Sequence, residues 1–128
     1  LPVAFSVLYN GVGAFEKSFK GTGYGVVFED DGETGYLYAT NEDHSQFLDA
    51  LYLYEYGSFE QINLNDSVFI VWNERIKKAG LYYHERFQAV IDFDKQMACC
   101  RSGFPEPNKI WCKSSHDWKE EMVAGLRE

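Results

Sequence analysis

The residues of this chain able to do chemistry are three cysteines, three histidines and several runs of carboxylates. Cys99, Cys112 and His116 offer soft ligands, and the Cys112-x3-His116 spacing lies across the start of an expected helix. A structural zinc would want a fourth ligand, His84 or Cys100, and the spacings match no zinc motif. The residues therefore read as neutral buried cysteines beside a surface histidine, with no metal or cofactor implied. Nucleophilic catalysis would pair Cys100 or Cys112 with His84 or His116 and an aspartate such as Asp92 or Asp117. No Gly-x-Ser-x-Gly elbow or cysteine-protease signature brings such groups together, so no catalytic residue is assigned. Asp92 and Asp94 share one face of an expected strand and read as cross-strand partners of Lys or Arg.

The acidic stretch Glu29-Asp30-Asp31-Gly32-Glu33, with Glu42 and Asp43 further on, lacks the spacing of an EF-hand calcium loop. It reads as a solvated hairpin tip, or as a rim of negative charge for a basic partner. Gly21-Thr22-Gly23-Tyr24-Gly25 resembles a phosphate-binding loop only in composition. It leads into a strand, not a helix, and carries no Gly-Lys-Ser/Thr.

Two aromatic groupings remain as binding candidates. Tyr36-Leu37-Tyr38, Leu51-Tyr52-Leu53-Tyr54-Glu55-Tyr56 and Leu81-Tyr82-Tyr83 alternate tyrosine with aliphatic residues. A period of two would place leucines on one sheet face and tyrosines on the other. Tyr52, Tyr54 and Tyr56 are the expected anchors, and Asp30, Asp31, Glu42 and Asp43 the expected acidic contact surface. The second grouping runs from Arg101 through Phe104, Pro105, Pro107, Trp111 and His116 to Trp118. Arginine beside tryptophan is interface chemistry, and equally the chemistry of a loop pinned by stacking.

These residues need a scaffold, and 128 residues supply one domain, 1–128, with its own core. Hydrophobic residues make up 45% and aromatics 17%, which excludes global disorder. A net charge of −8 works against nucleic acid and anionic membranes and suits a basic partner. No apolar run approaches the roughly 18 residues of a membrane span, and no signal-peptide pattern appears. The odd cysteine count favours a reducing cytoplasm.

Strands are expected at 3–9, 24–29, 36–40, 51–56, 68–73, 79–86 and 89–93, with 97–101 a further candidate. The glycine-rich stretch 10–23 reads as a long loop, Ser45 as the cap of a short helix, and Asn63-Leu64-Asn65-Asp66 as a turn. Trp118, Met122 and Leu126 share a face of a helix expected from His116 to Leu126. The expected fold is α+β: a mainly antiparallel sheet of six or seven strands, with a C-terminal helix and one short helix packed on a face.

The run from Gly25 through Glu29-Asp30-Asp31-Gly32 to Ala39, the stretch Ala89-Val-Ile-Asp-Phe-Asp94, Cys100-Arg-Ser-Gly-Phe-Pro105 and Ser115-His-Asp-Trp118 together resemble a family of short uncharacterised bacterial proteins, domain of unknown function 2251. The resemblance spans roughly residues 5–118. It implies a bacterial cytoplasmic single-domain protein and brings no activity, cofactor or site residue. The residues themselves favour a non-catalytic protein-binding module, in one version an immunity-type protein whose acidic surface neutralises a basic toxin. The alternatives are a small-ligand binding protein with residues 10–23 as a lid, and a cysteine-dependent hydrolase. An exposed edge strand could also pair two chains into a homo-oligomer.

Overall fold

The computed structural model describes residues 3–8, 13–55 and 67–127. They form nine strands: β1 (Val3–Leu8), β2 (Gly13–Phe19), β3 (Tyr24–Asp30), β4 (Thr34–Asn41), β5 (Phe47–Glu55), β6 (Ser67–Asn73), β7 (Lys78–Tyr83), β8 (Arg86–Asp92) and β9 (Met97–Cys100). The pairs are all antiparallel and make two sheets, one in the order β2-β3-β4-β5 and one in the order β1-β6-β7-β8-β9. The α+β expectation is thus overturned. The fold is nearly all β, in two facing sheets, and its helical content among the described residues is one 3-10 turn, Glu120–Val123.

Both expected helices fail for local reasons. Ser45 sits in the β4–β5 hairpin turn, where its N–H donates to Asp43 Oδ1 and Gln46 N–H donates to Asn41 Oδ1. His44 takes φ +64 there. Phe47, Leu48 and Leu51, read as helical, belong to β5 instead. The C-terminal segment is held extended where Cys100 N–H donates to the His116 carbonyl, and again at Lys119 (φ −130, ψ 102). Gly125, at φ +88, then ends the single turn.

The glycine-rich stretch also departs from expectation, since most of it is β2. Its inward residues Phe15 and Phe19 alternate with outward Ala14, Glu16 and Ser18, a period of two that glycines and lysines obscured. Phe19 stacks on Trp72 of the opposite sheet with ring centroids 3.7 Å apart, and Phe15 stacks on Phe28. The expected lid is therefore a sheet edge with packed rings beneath it. The Asn63–Asp66 turn lies outside the described residues.

Phe28, Leu37, Leu51 and Tyr54 of one sheet face Ile70, Leu81, Tyr83 and Ile91 of the other, all nearly or fully buried. The outer face of the five-stranded sheet is covered by Met122, Val123 and Leu126, which pack on Val71, Phe87, Val90 and Cys99. No helix of the described residues is long and apolar enough to cross a membrane.

Two β-bulges in β5 decide what each sheet face presents. Residues 47 and 49, like 52 and 54, would share a face in a regular strand. The register shifts by one residue between Ala39 and Thr40 and again between Gly35 and Tyr36. Leu48 and Leu53 are the extra residues. Phe47 and Tyr52 consequently face outward, while Asp49 and Tyr54 turn inward.

Candidate functional site

The outer face of the four-stranded sheet displays an aromatic ridge. Tyr36 and Tyr38 stack at 5.7 Å, Tyr52 meets Tyr36 edge-on at 5.5 Å, and Phe47 lies against Tyr38 at 4.5 Å. The three tyrosines are half-buried, and Phe47 is 53% exposed. Carboxylates flank the ridge. Glu29 stands beside Tyr36 in the register and accepts the Tyr38 hydroxyl at 3.3 Å, and exposed Glu16 follows one strand further out. Glu55 hydrogen-bonds Tyr52 from the other side. Partial burial, then the negative charge of Glu29, pushes the Tyr38 pKa up to about 12, so this ring stays a neutral phenol.

The residues singled out in the sequence divide between this face and the interior. Tyr52 is on the ridge. Tyr54 is 1% exposed, with its hydroxyl donating to Asp30 Oδ2 at 2.6 Å, and Tyr56 lies outside the described residues. Asp30 is itself fully buried and also accepts the Gly32 N–H. Asp31 is used by its own turn, accepting from Glu33 N–H and Thr34 N–H, and these bonds lower its pKa. Glu42 and Asp43 occupy the hairpin turn at the other end of β4, roughly 25 Å away along the strand. Glu42 accepts Gly23 N–H, and its carbonyl accepts the Ser18 hydroxyl, which staples two turns together. The four expected acids therefore do not make one contact surface. The acids that do flank the ridge are Glu16, Glu29 and Glu55. Tyr36, Tyr38 and Phe47 were not among the expected anchors, although the tyrosine alternation itself marked the first two.

The Arg101–Trp118 group is a structural tie. The Arg101 guanidinium lies 3.7 Å from the Trp118 ring centroid, and its Nε–H donates to the Phe87 carbonyl. Trp111 is half-buried against Phe93. His116, expected at the surface, is 1% exposed at the corner where the edges of β5 and β9 approach each other. That corner is closed by the segment after β9: Tyr52 N–H donates to Phe104 O at 2.8 Å, and the Ser102 hydroxyl donates to Tyr52 O at 2.7 Å. His116 Nδ1 faces the Pro105 carbonyl, and its Nε2 lies 2.8 Å from Asp49 Oδ2. Cys112, 1% exposed, completes a group of three whose ligand atoms all lie within 4.8 Å of one another.

A family model described as an uncharacterised protein conserved in bacteria, DUF2251, matches residues 10–127. The chain belongs to the DUF2251 family. An uncharacterised protein of Haemophilus influenzae (strain ATCC 51907 / DSM 11121 / KW20 / Rd) is 31% identical over 109 residues, covering 81% of this chain and 68% of the relative. No solved structure matches. The family match contains both the aromatic ridge and the His116 corner.

In this DUF2251 protein the corner is ill-suited to nucleophilic catalysis. A carbonyl oxygen only accepts, so Nδ1 carries a proton toward Pro105, and Nε2 is already shared between Asp49 and Cys112. No ring nitrogen is left to take a proton from a reacting group. Burial alone would lower the His116 pKa. The Asp49 carboxylate, with help from Cys112 and Pro105, outweighs it and raises the value to about 10. His116 is thus an imidazolium that ties β5 to the segment beyond β9. Burial would raise the Cys112 thiol, but its contact with His116 and the Ser114 backbone brings it below its ordinary value.

Proposed function

We propose that this DUF2251 protein is a non-catalytic protein-binding module whose partner docks a basic segment on the Tyr36–Tyr38–Tyr52–Phe47 face. The observation that carries the reading is the ridge itself: four aromatic side chains in ring contact on an outward sheet face, flanked by Glu16, Glu29 and Glu55. Tyrosine gives large, rigid contact area with a polar tip, and its ring attracts guanidinium and ammonium groups. The flanking carboxylates and the net charge of −8 select for arginine and lysine and speed the encounter. An immunity-type role, with a basic toxin as the partner, is the specific form of this reading.

The test is a paired capture from the native cytoplasm using wild type and the double variant Tyr38→Ser/Phe47→Ser, at low and then moderate salt, read by mass spectrometry. The variant must first show a cooperative unfolding transition near that of the wild type. A basic protein held by wild type, released by salt and missed by the variant supports the reading. Equal retention by both proteins removes the ridge from it.

A further inference from the structure

We propose that Asp49, Cys112 and His116 form a binding site for a divalent, thiophilic metal ion of the zinc class, independent of the aromatic ridge. A thiol sulfur, a ring nitrogen and a carboxylate oxygen converge within 4.8 Å in the interior, from β5 and from one short loop. All three atoms carry lone pairs, and lone pairs that meet away from water need a positive charge between them. Either a proton or a metal ion supplies it.

Two features favour a metal. His116 is oriented as metal-binding histidines are, with Nδ1–H held by a backbone carbonyl, here Pro105, so that Nε2 is aimed at the site. Charge is also conserved in the exchange. The 2.8 Å contact of Nε2 with Asp49 Oδ2 holds one proton between ring and carboxylate, and the Cys112 thiol directs a second at the Ser114 carbonyl 3.3 Å away. On binding, M²⁺ takes the place of the Nε2 proton and the Cys112 thiol proton, leaving a neutral imidazole, a carboxylate and a thiolate. Two protons depart, one dication arrives, and the site is neutral before and after.

The ligand set of sulfur, nitrogen and oxygen selects zinc-class ions over calcium or magnesium. Ligand atoms of a four-coordinate zinc lie about 3.3–3.6 Å apart, given Zn–N near 2.0 Å and Zn–S near 2.3 Å. The 2.8 Å separation of Nε2 and Asp49 Oδ2 is that of a shared proton and would lengthen by about half an ångström. Asp49 keeps 8% of its side chain exposed against none for His116, so a water completing the shell enters from that side.

The experiment uses the full chain, stripped with a chelator and titrated with cobalt(II) and with zinc chloride in weak buffer. The expected result is one equivalent bound per chain, release of about two protons per zinc, and a thiolate-to-cobalt charge-transfer band with tetrahedral d–d bands. Cys112→Ser should abolish that band and weaken zinc more than about 100-fold, while Cys99→Ser, buried beneath the C-terminal turn, should leave both unchanged. Wild-type protein that is folded but takes up no stoichiometric zinc overturns the proposal. So does a cobalt spectrum without a thiolate band, or equal zinc affinity in Cys112→Ser.

Discussion

Replacing Gly35 by alanine tests the packing that turns Tyr54 into the core. Gly35 pairs with Tyr54 across the β4–β5 ladder, at the edge of the second bulge. A Cβ at position 35 would lie 2.5 Å from Tyr54 Cε2 and 2.8 Å from its hydroxyl. The Tyr54 ring has little room to retreat. It is 1% exposed, stands edge-on to Tyr83 at 6.4 Å, and is tied at its hydroxyl to the buried Asp30 carboxylate. Overpacking a filled core costs about 1–3 kcal/mol. A ring shift also loosens a hydrogen bond to a charged group, worth about 1.5–3 kcal/mol when fully lost. The expected destabilisation of Gly35→Ala is therefore about 3 kcal/mol, on the order of 10 °C in Tm for a chain of this length.

The assay is urea unfolding of wild type, Gly35→Ala, Tyr54→Leu and the double variant, compared at equal m-value. If the cost is steric, Gly35→Ala should be much cheaper in the Tyr54→Leu background, with a coupling of at least about 1 kcal/mol. A Gly35→Ala cost below about 0.5 kcal/mol, or the same cost in both backgrounds, would show that Tyr54 does not lie over Gly35. The assignment of inward and outward faces along β5 would fall with it.

The other expectations concern the corner and the surface. In chelator-treated protein the His116 pKa is raised from 6.5 to about 10, so its stabilising contribution is complete below pH 6.5 and lost as pH rises through about 10. The stability gap between wild type and His116→Gln should shrink over that window in denaturant titrations, and a gap that is constant with pH contradicts the imidazolium. Arg101→Lys loses the planar stack on Trp118 and the bond to Phe87 O, and should cost about 1–2 kcal/mol with a change in tryptophan emission. Phe47→Ala should move stability by no more than about 1 kcal/mol, because the ring is 53% exposed, and any larger effect on unfolding would place that ring in the core.

What the sequence made legible followed from simple periodicity. The nearly continuous apolar run Val68-Phe69-Ile70-Val71-Trp72 reads as a strand flanked on both sides, and β6 does lie between β1 and β7. The Asp31-Gly32 turn predicts the β3–β4 hairpin, and that hairpin forms, with Gly32 at φ +92. Where a charge or a glycine interrupts the pattern, the reading fails. Glu16, Lys17 and Lys20 made β2 look like a loop, although charged side chains are what an edge strand carries to discourage pairing. The β7–β8 turn is built from His84 and Glu85 at φ +51 and +65, positions where neither residue type announces a turn.

The candidate site was harder to read than the fold because it depends on where side chains point after an irregularity. Period-two logic assigns Tyr52, Tyr54 and Tyr56 to one face. One extra residue at Leu53 breaks that grouping, and the same device at Leu48 sends Phe47 outward and Asp49 inward. A bulge has no reliable sequence signal, so neither Phe47, the exposed end of the ridge, nor Asp49, the third member of the corner, could be named from the chain alone. Both follow from the same strand. β5 presents Phe47 and Tyr52 to solvent and Asp49 to His116, so the corner fixes the strand that carries half of the ridge. Loosening the corner, by His116→Gln or by alkaline pH, should therefore disturb Tyr52 before it disturbs Glu16 on the far edge of the sheet. Amide hydrogen exchange along β5 and β2 distinguishes the two, and equal deprotection of both strands would mean that the corner acts on the whole fold.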